Sequence, residues 1–170
     1  MAITATTRDG DVIDASRSAE VESVVGAVAA WVRGRPDVHG LAVVGSWARG
    51  QAHTRSDVDL IVLAEVPERY ADGDDDSWMA EALGRPAVTV RRRAWGVVTE
   101  RRALLPSGLE VELGLAPLSW ARSEPLEPGT AEVVRGGCLP VVDAEGRLAR
   151  LIAAVARSHA SSSRRRFGET

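Results

Sequence analysis

The chain has 170 residues, 45% of them hydrophobic and 26% charged, a composition typical of one soluble globular domain. Its net charge of −3 supplies no overall positive field, so nucleic acid is not expected as a partner. No apolar run approaches the roughly 20 residues that span a bilayer, and the single cysteine, Cys138, allows no internal disulfide, so we expect no membrane association and a cytoplasmic location.

The first third of the chain predicts one amphipathic helix and two buried strands. Residues 1–15 are polar and without pattern, and we expect a flexible lead-in there. From Ser18 onward, valines recur at the i, i+3, i+4, i+7 spacing of a helix, which should end near Gly34. The runs "VHGLAVVG" and "VDLIVLA" are almost continuously apolar, as central strands are.

The rest of the chain predicts a hairpin, further helices and one more strand. The segments "WGVVTERRALL" and "LEVELGL" are joined by "PSG", which favours a β-hairpin. The other predicted elements are a short helix capped by Asp76 or Ser77, a short strand at Val88–Val90, a helix near Thr130–Arg135, a strand "CLPVV", a helix marked by Leu148, Leu151, Ile152 and Val155, and a flexible tail at 158–170. This order predicts an α/β domain over residues 16–157, with a mixed β-sheet and flanking helices.

Two aspartates mark the start of the second strand. Asp57 and Asp59 are two residues apart, so their side chains point to the same face of a strand. Their mutual repulsion is relieved by a divalent cation, and oxygen ligands without a nearby thiol favour Mg²⁺ or Mn²⁺. A pair of aspartates at a solvated strand edge is also common, so the pair alone does not decide between the two interpretations.

A Gly-Ser turn precedes these aspartates by eleven residues. At Gly45 and Ser46 an apolar strand turns into a helical segment, where backbone N–H groups and a hydroxyl can hold phosphate oxygens. Arg49 lies within one helical turn of Ser46 and can approach the same anion. Together, the turn and the aspartates predict a site for a nucleoside triphosphate with its magnesium ion.

A third carboxylate is expected from the hairpin strand "LEVEL". Glu110 and Glu112 share one face of that strand, and alternation alone does not choose between them. We favour Glu112 because apolar residues continue after it, as in a strand that crosses the centre of a sheet. On the preceding strand, one of Arg101 and Arg102 should point toward the same face, where it either meets a phosphate or lies in solvent.

The segment "VVGSWARGQAHTRSDVDLIVL" resembles the signature of the nucleotidyltransferase superfamily, which includes DNA polymerase beta and the aminoglycoside and minimal nucleotidyltransferases. The resemblance implies a polymerase-beta-like fold in which two aspartates and a later acidic residue bind the metal ions. Carried over residue by residue, the metal ligands are Asp57, Asp59 and Glu112 (or Glu110). The nucleotide-binding residues implied by the same signature are Gly45, Ser46, Arg49 and Ser56.

This resemblance implies transfer of a nucleoside monophosphate from an NTP to a hydroxyl of a small molecule or protein, with release of pyrophosphate. Only about fifty residues follow "LEVEL", so the acceptor site should be open, shared in a homodimer, or supplied by a protein partner. The alternative is an antitoxin-like, partner-binding module that keeps the fold. The sequence does not identify the nucleotide or the acceptor.

Overall fold

The computed structural model describes residues 14–72 and 76–166, with side chains up to residue 160. Most of the expected lead-in, the centre of the acidic run that follows Asp72, and the last four residues of the expected tail lie outside these ranges. The helices are α1 (Ala15–Arg33), α2 (Gly45–Ala48), α3 (Glu68–Ala71), α4 (Ser77–Leu83), α5 (Pro128–Arg135) and α6 (Arg147–Arg166). The strands are β1 (Val38–Val44), β2 (Val58–Ala64), β3 (Val88–Trp95), β4 (Val98–Leu104), β5 (Glu110–Pro117) and β6 (Cys138–Val142).

The six strands form one mixed sheet in the order β3-β4-β5-β2-β1-β6. Strands β2 and β5 pair in parallel, and every other neighbouring pair is antiparallel. The central strands β1 and β2 are buried almost throughout, which explains their continuous apolar sequences. The predicted α/β class, mixed sheet and flanking helices are thereby confirmed.

Helices cover both faces of the sheet. On one face, α1 packs its buried valines against the sheet and against α4, as the spacing from Ser18 predicts. On the other face, α5, α6 and a 3₁₀ turn at Leu118–Ala121 form a second apolar cluster over β1, β2 and the end of β5. Because both faces are packed near the sheet centre, the ends of β2 and β5 are held in fixed register.

The structure differs from the sequence prediction mainly at the outer hairpin. Strand β3 runs from Val88 to Trp95, well beyond the predicted Val88–Val90, and Trp95 ends it instead of starting the next strand. The sequence analysis missed the second half of β3 because its exposed arginines show no alternation of apolar and polar residues. Cross-strand pairing with β4 stabilises it instead, including an ion pair between Arg91 and Glu100.

The predicted helices α5 and α6 are both present, and α6 is longer than predicted. Helix α5 begins two residues before Thr130, at Pro128, and the side chain of Glu127 accepts a hydrogen bond from the Thr130 N–H. Helix α6 continues past Val155 to Arg166, and the proposed boundary of the tail at residue 158 stays a prediction. In the part of the chain that the structure describes, no helix is long and apolar enough to cross a membrane.

Candidate active site

Three carboxylates converge where β2 and β5 begin. Asp59 on β2 lies directly opposite Glu112 on the parallel strand β5, and Asp57 precedes Asp59 by two residues. One carboxylate oxygen from each of the three residues lies within 4.8 Å of the others. Three hard oxygen donors at this separation fit Mg²⁺ or Mn²⁺ and do not suit a thiolate-preferring metal.

Glu110, the alternative third carboxylate, lies outside this group of three. Its side chain is 42% exposed and forms a salt bridge with Arg102, whereas the Glu112 side chain is only 17% exposed. The structure therefore places Glu112 with the two aspartates, in agreement with the preference drawn from the sequence. The role of each glutamate in metal binding stays a proposal.

Asp59 is the carboxylate whose proton affinity is most altered. Burial raises the pKa of Asp59 to about 6, and the negative charge of nearby Asp57 adds to the shift. The charged form of Asp59 is thus disfavoured in the folded, metal-free protein. A bound cation would reverse this penalty, which is the behaviour expected of a metal ligand.

Arg102 lies beside the three carboxylates and offsets part of their negative charge. Its guanidinium lies 3.2 Å from Oδ2 of Asp57 and also forms salt bridges with Glu110 and Glu112. Arg91 approaches Glu112 from β3, which is separated from β5 by β4, with Nη2 3.3 Å from Oε1. Of the two arginines that the sequence left undecided, Arg102 faces the site, whereas buried Arg101 pairs with Asp76 on the opposite face.

Replacing Arg102 by Met should destabilise the metal-free protein. The carboxylates would lose their main counter-charge, and we expect the free energy of unfolding to fall by about 1–3 kcal/mol at pH 7.5. Saturating MgCl₂ should recover most of this loss, because a cation can compensate the same charges. Urea unfolding with and without Mg²⁺ measures both effects, and an equal loss in the two conditions would contradict the account.

The Gly-Ser turn lies against Asp59. Gly45 has a φ of +73°, and a Cβ atom built there would lie 2.7 Å from Oδ2 of Asp59. Only glycine combines this backbone conformation with so close an approach. The N–H of Gly45 donates to the carbonyl oxygen of Gly137, at 3.1 Å, so it is not one of the free donors that the sequence suggested.

A glycine pair after α5 supports this turn, and the sequence analysis missed it. Gly137 has a φ of +105°, and a Cβ there would lie 2.9 Å from the carbonyl oxygen of Gly45 and 2.7 Å from Cγ of Arg49. The guanidinium of Arg49 donates to the carbonyl of Gly136 and, at 3.1 Å, to the side chain of Gln51. Arg49 thus connects the Gly-Ser turn to the segment between α5 and β6. In the sequence, this segment is marked by the two glycines that end the helix.

A polar cleft of about 630 Å³ opens in front of the turn and the aspartates. Ser46 lines it, and the largely buried Ser56 shapes its wall, with its hydroxyl accepting a hydrogen bond from the N–H of His53 at 2.9 Å. Four arginines are among the residues that line the cleft: Arg17, Arg49, Arg55 and Arg102. Arg17 and Arg55 were not among the expected site residues, because nothing in their local sequence places them beside the Gly-Ser turn.

Comparison with known protein families finds a match over part of the chain that forms this site. The family described as "Nucleotidyltransferase domain" matches residues 30–110, a range that includes the Gly-Ser turn and both aspartates. The match covers just under half of the chain's 170 residues. A search of curated proteins finds no match.

Solved structures similar to this chain come from larger and smaller proteins. A cytoplasmic RNA terminal U-transferase aligns with a TM-score of 0.45 and 16% identity over 61% of this chain and 32% of its own. The Cid1 poly(U) polymerase bound to MgATP aligns with a TM-score of 0.42 and 19% identity over 60% and 33% of the two chains. A toxin–antitoxin structure with AMP-PNP aligns with a TM-score of 0.38 and 16% identity over 84% of this chain and 92% of its own. This chain therefore spans about a third of the length of the first two proteins.

Proposed function

We propose that the protein is a Mg²⁺-dependent nucleotidyltransferase that transfers a nucleoside monophosphate from an NTP to a hydroxyl acceptor and releases pyrophosphate. The observation that carries the proposal is the group formed by Asp57, Asp59 and Glu112, with ligand oxygens within 4.8 Å, beside a glycine turn. The family match over residues 30–110 supports the same reaction class. Mn²⁺ is an alternative to Mg²⁺ because both ions prefer oxygen ligands.

The residues of this chain divide the work between binding and proton transfer. Ser46 and the arginines of the polar cleft bind the triphosphate, with Gly45 allowing the chain to pass close to Asp59. Asp57, Asp59 and Glu112 would hold the divalent ion, which would supply Lewis-acid stabilisation of charge on the phosphate oxygens. The acceptor oxygen forms a bond to the α-phosphorus as the bond to the bridging oxygen of pyrophosphate breaks, and Glu112 accepts the proton of the hydroxyl.

Substituting the two glutamates separately tests which one is the third carboxylate. We expect Glu112→Gln to lower kcat about a hundredfold, because it removes a metal ligand and the proton acceptor. Glu110→Gln should change kcat less than about threefold, since that side chain is more exposed and lies outside the group of three carboxylates. Steady-state rates for both variants decide the assignment, and a larger loss in Glu110→Gln would reverse it.

Pyrophosphate release tests the function without knowledge of the natural acceptor. Each of ATP, GTP, CTP and UTP is incubated with the protein and Mg²⁺, with glycerol as a simple hydroxyl acceptor. We expect release with at least one nucleotide, and its loss on removal of Mg²⁺ and in Asp57→Asn/Asp59→Asn. Release that continues unchanged in the double variant would contradict the proposal.

The second candidate function is a partner-binding module, in the manner of an antitoxin, or a site completed in a homodimer. The edge strand β3 favours a partner, because Val88 and Val90 are 67% and 50% exposed on the outermost strand of the sheet. The double variant separates the two functions, since a binding module keeps its partner without the aspartates. The cytoplasmic location also stays a prediction, resting on the single cysteine.

A further inference from the structure

A second cavity, of about 730 Å³, adjoins the three carboxylates of the site, on the side away from Asp57. Asp59 lines both cavities, whereas Asp57 lines only the polar cleft and Glu112 lines only the second cavity. The carboxylates therefore form the wall between two spaces. A molecule in the second cavity would lie beside Glu112, the residue proposed to accept the hydroxyl proton.

The second cavity differs from the polar cleft in chemistry. Its walls come from β2, the tip of the β3–β4 hairpin, the 3₁₀ turn and α5, and its apolar lining includes Ile61, Val97, Val98, Trp95, Trp120 and Val133. This combination of two indole rings and branched side chains suits a flat apolar or aromatic body.

Charge also separates the two spaces. The described residues that line the second cavity include Asp59, Glu100, Glu112 and Glu127 and no arginine. From outside the cavity, Arg91 and Arg102 offset part of the charge of Glu100 and Glu112, and Arg93 lies over the Trp95 ring. Glu127 lines the cavity where it caps α5 and is not among these paired carboxylates. An anionic molecule is disfavoured there, whereas a neutral or positively charged one is not.

We propose that this cavity is the acceptor subsite, and that it takes a small hydroxyl compound with an aromatic or apolar body and no negative charge. The inference rests on the proposed function. In an in-line displacement the attacking oxygen approaches the α-phosphorus opposite the departing pyrophosphate. With the phosphates held by the arginines of the polar cleft, the hydroxyl enters from the Glu112 side, where its proton passes to that carboxylate.

Three probes with one aromatic ring and one hydroxyl test the subsite: phenylalaninol (cationic), 3-phenyl-1-propanol (neutral) and 3-phenyllactate (anionic). Their binding is measured by ligand-detected NMR titration, first with the protein alone and then with AMPCPP and Mg²⁺. We expect the cationic probe to bind at least about tenfold more tightly than the anionic one, with the neutral probe between them. Binding should persist when the nucleotide analogue is present.

A matched pair of valine variants locates the binding. Val97 is 64% exposed and lines the cavity, whereas Val88 is 67% exposed and lines neither space, so both tolerate Gln. We expect Val97→Gln to weaken phenylalaninol binding about three- to fivefold and Val88→Gln to leave it unchanged. Val133→Gln, with Val66→Gln as its control, repeats the comparison on α5 at 38% and 41% exposure.

Each other outcome overturns the subsite. Absence of binding for all three probes, a preference for phenyllactate, or equal effects of Val97→Gln and Val88→Gln would show that the cavity does not recognise this class. Competition between phenylalaninol and AMPCPP would assign the cavity to the nucleobase instead. Because probe binding is measured without turnover, failure of the proposed function appears separately, as absence of Mg²⁺-dependent binding for non-hydrolysable analogues of all four nucleotides.

Discussion

Asp59→Asn is expected to abolish nucleotide transfer and, at the same time, to make the metal-free protein more stable at neutral pH. The loss of transfer follows from the position of Asp59 at the wall shared by both cavities and within the three-carboxylate group. If Asp59 is a metal ligand as proposed, its removal should lower kcat at least about a thousandfold. The gain in stability follows from the cost of keeping this carboxylate charged.

The sign of the stability change follows from the pKa. Burial and Asp57 raise the pKa of Asp59 to about 6, whereas an aspartate in the unfolded chain titrates near pH ~4. Between these values the unfolded chain has lost the proton while the folded protein retains it, so the free energy of unfolding falls as pH rises. Asn carries no such charge, and after allowance for partial exposure the variant should be about 1–2 kcal/mol more stable above pH 6.

Urea unfolding at pH 4, 6 and 7.5 without metal measures this difference. The gain of the variant over the wild type should appear between pH 4 and 6 and stay constant above that range. Glu22→Gln, an exposed change on α1 away from the site, is the control and should shift stability by less than about 0.5 kcal/mol. An Asp59→Asn protein that transfers nucleotide normally, or that is less stable at pH 7.5, would contradict the account.

The second large effect is expected at the turn that carries Ser46. In Gly45→Ala the new methyl group would lie 2.7 Å from Oδ2 of Asp59, at a φ of +73° that disfavours any side chain. The turn and the aspartate must then move apart. We expect a loss of about 1–3 kcal/mol in the free energy of unfolding and a loss of about a hundredfold in kcat, since small displacements of positioning groups are costly.

Gly26→Ala is the matched control for this substitution. Gly26 lies within α1, and a Cβ there meets no atom within 4 Å. The same chemical change should therefore stabilise the protein by about 0.5–1 kcal/mol and leave kcat unchanged. Thermal unfolding and initial rates for both variants test the argument, which fails if Gly45→Ala behaves like Gly26→Ala.

The parts of the site that lie close together in the sequence were predictable from it. The Gly-Ser turn, the aspartate pair and the apolar strands that carry them occupy about twenty consecutive residues, and strand alternation fixes the common direction of Asp57 and Asp59. Glu112 was preferred over Glu110 because apolar residues continue after it. The β2–β5 pairing is the tertiary contact that brings Glu112 opposite Asp59, and the sequence does not show this pairing.

The parts that depend on contacts between distant segments were not predictable. The contact of Gly137 with Gly45 joins residues more than ninety positions apart, and no spacing rule connects them. The placement of Arg102 among the carboxylates depends on the register of β4 against β5. The length of β3 was missed because ion pairs with β4 support it in place of an apolar stripe.

Nucleotide binding measured by thermal unfolding tests the central claim most directly. Wild type and Asp57→Asn/Asp59→Asn are each heated with ATP, GTP, CTP or UTP analogues, with and without Mg²⁺. At a ligand concentration about a hundred times Kd, binding should add about 2.7 kcal/mol, or a rise in Tm of roughly 5–10 °C for a chain of this size. The account predicts such a rise with at least one nucleotide, dependent on Mg²⁺ and absent in the double variant. No rise with any nucleotide, or an equal rise in the double variant, would contradict it.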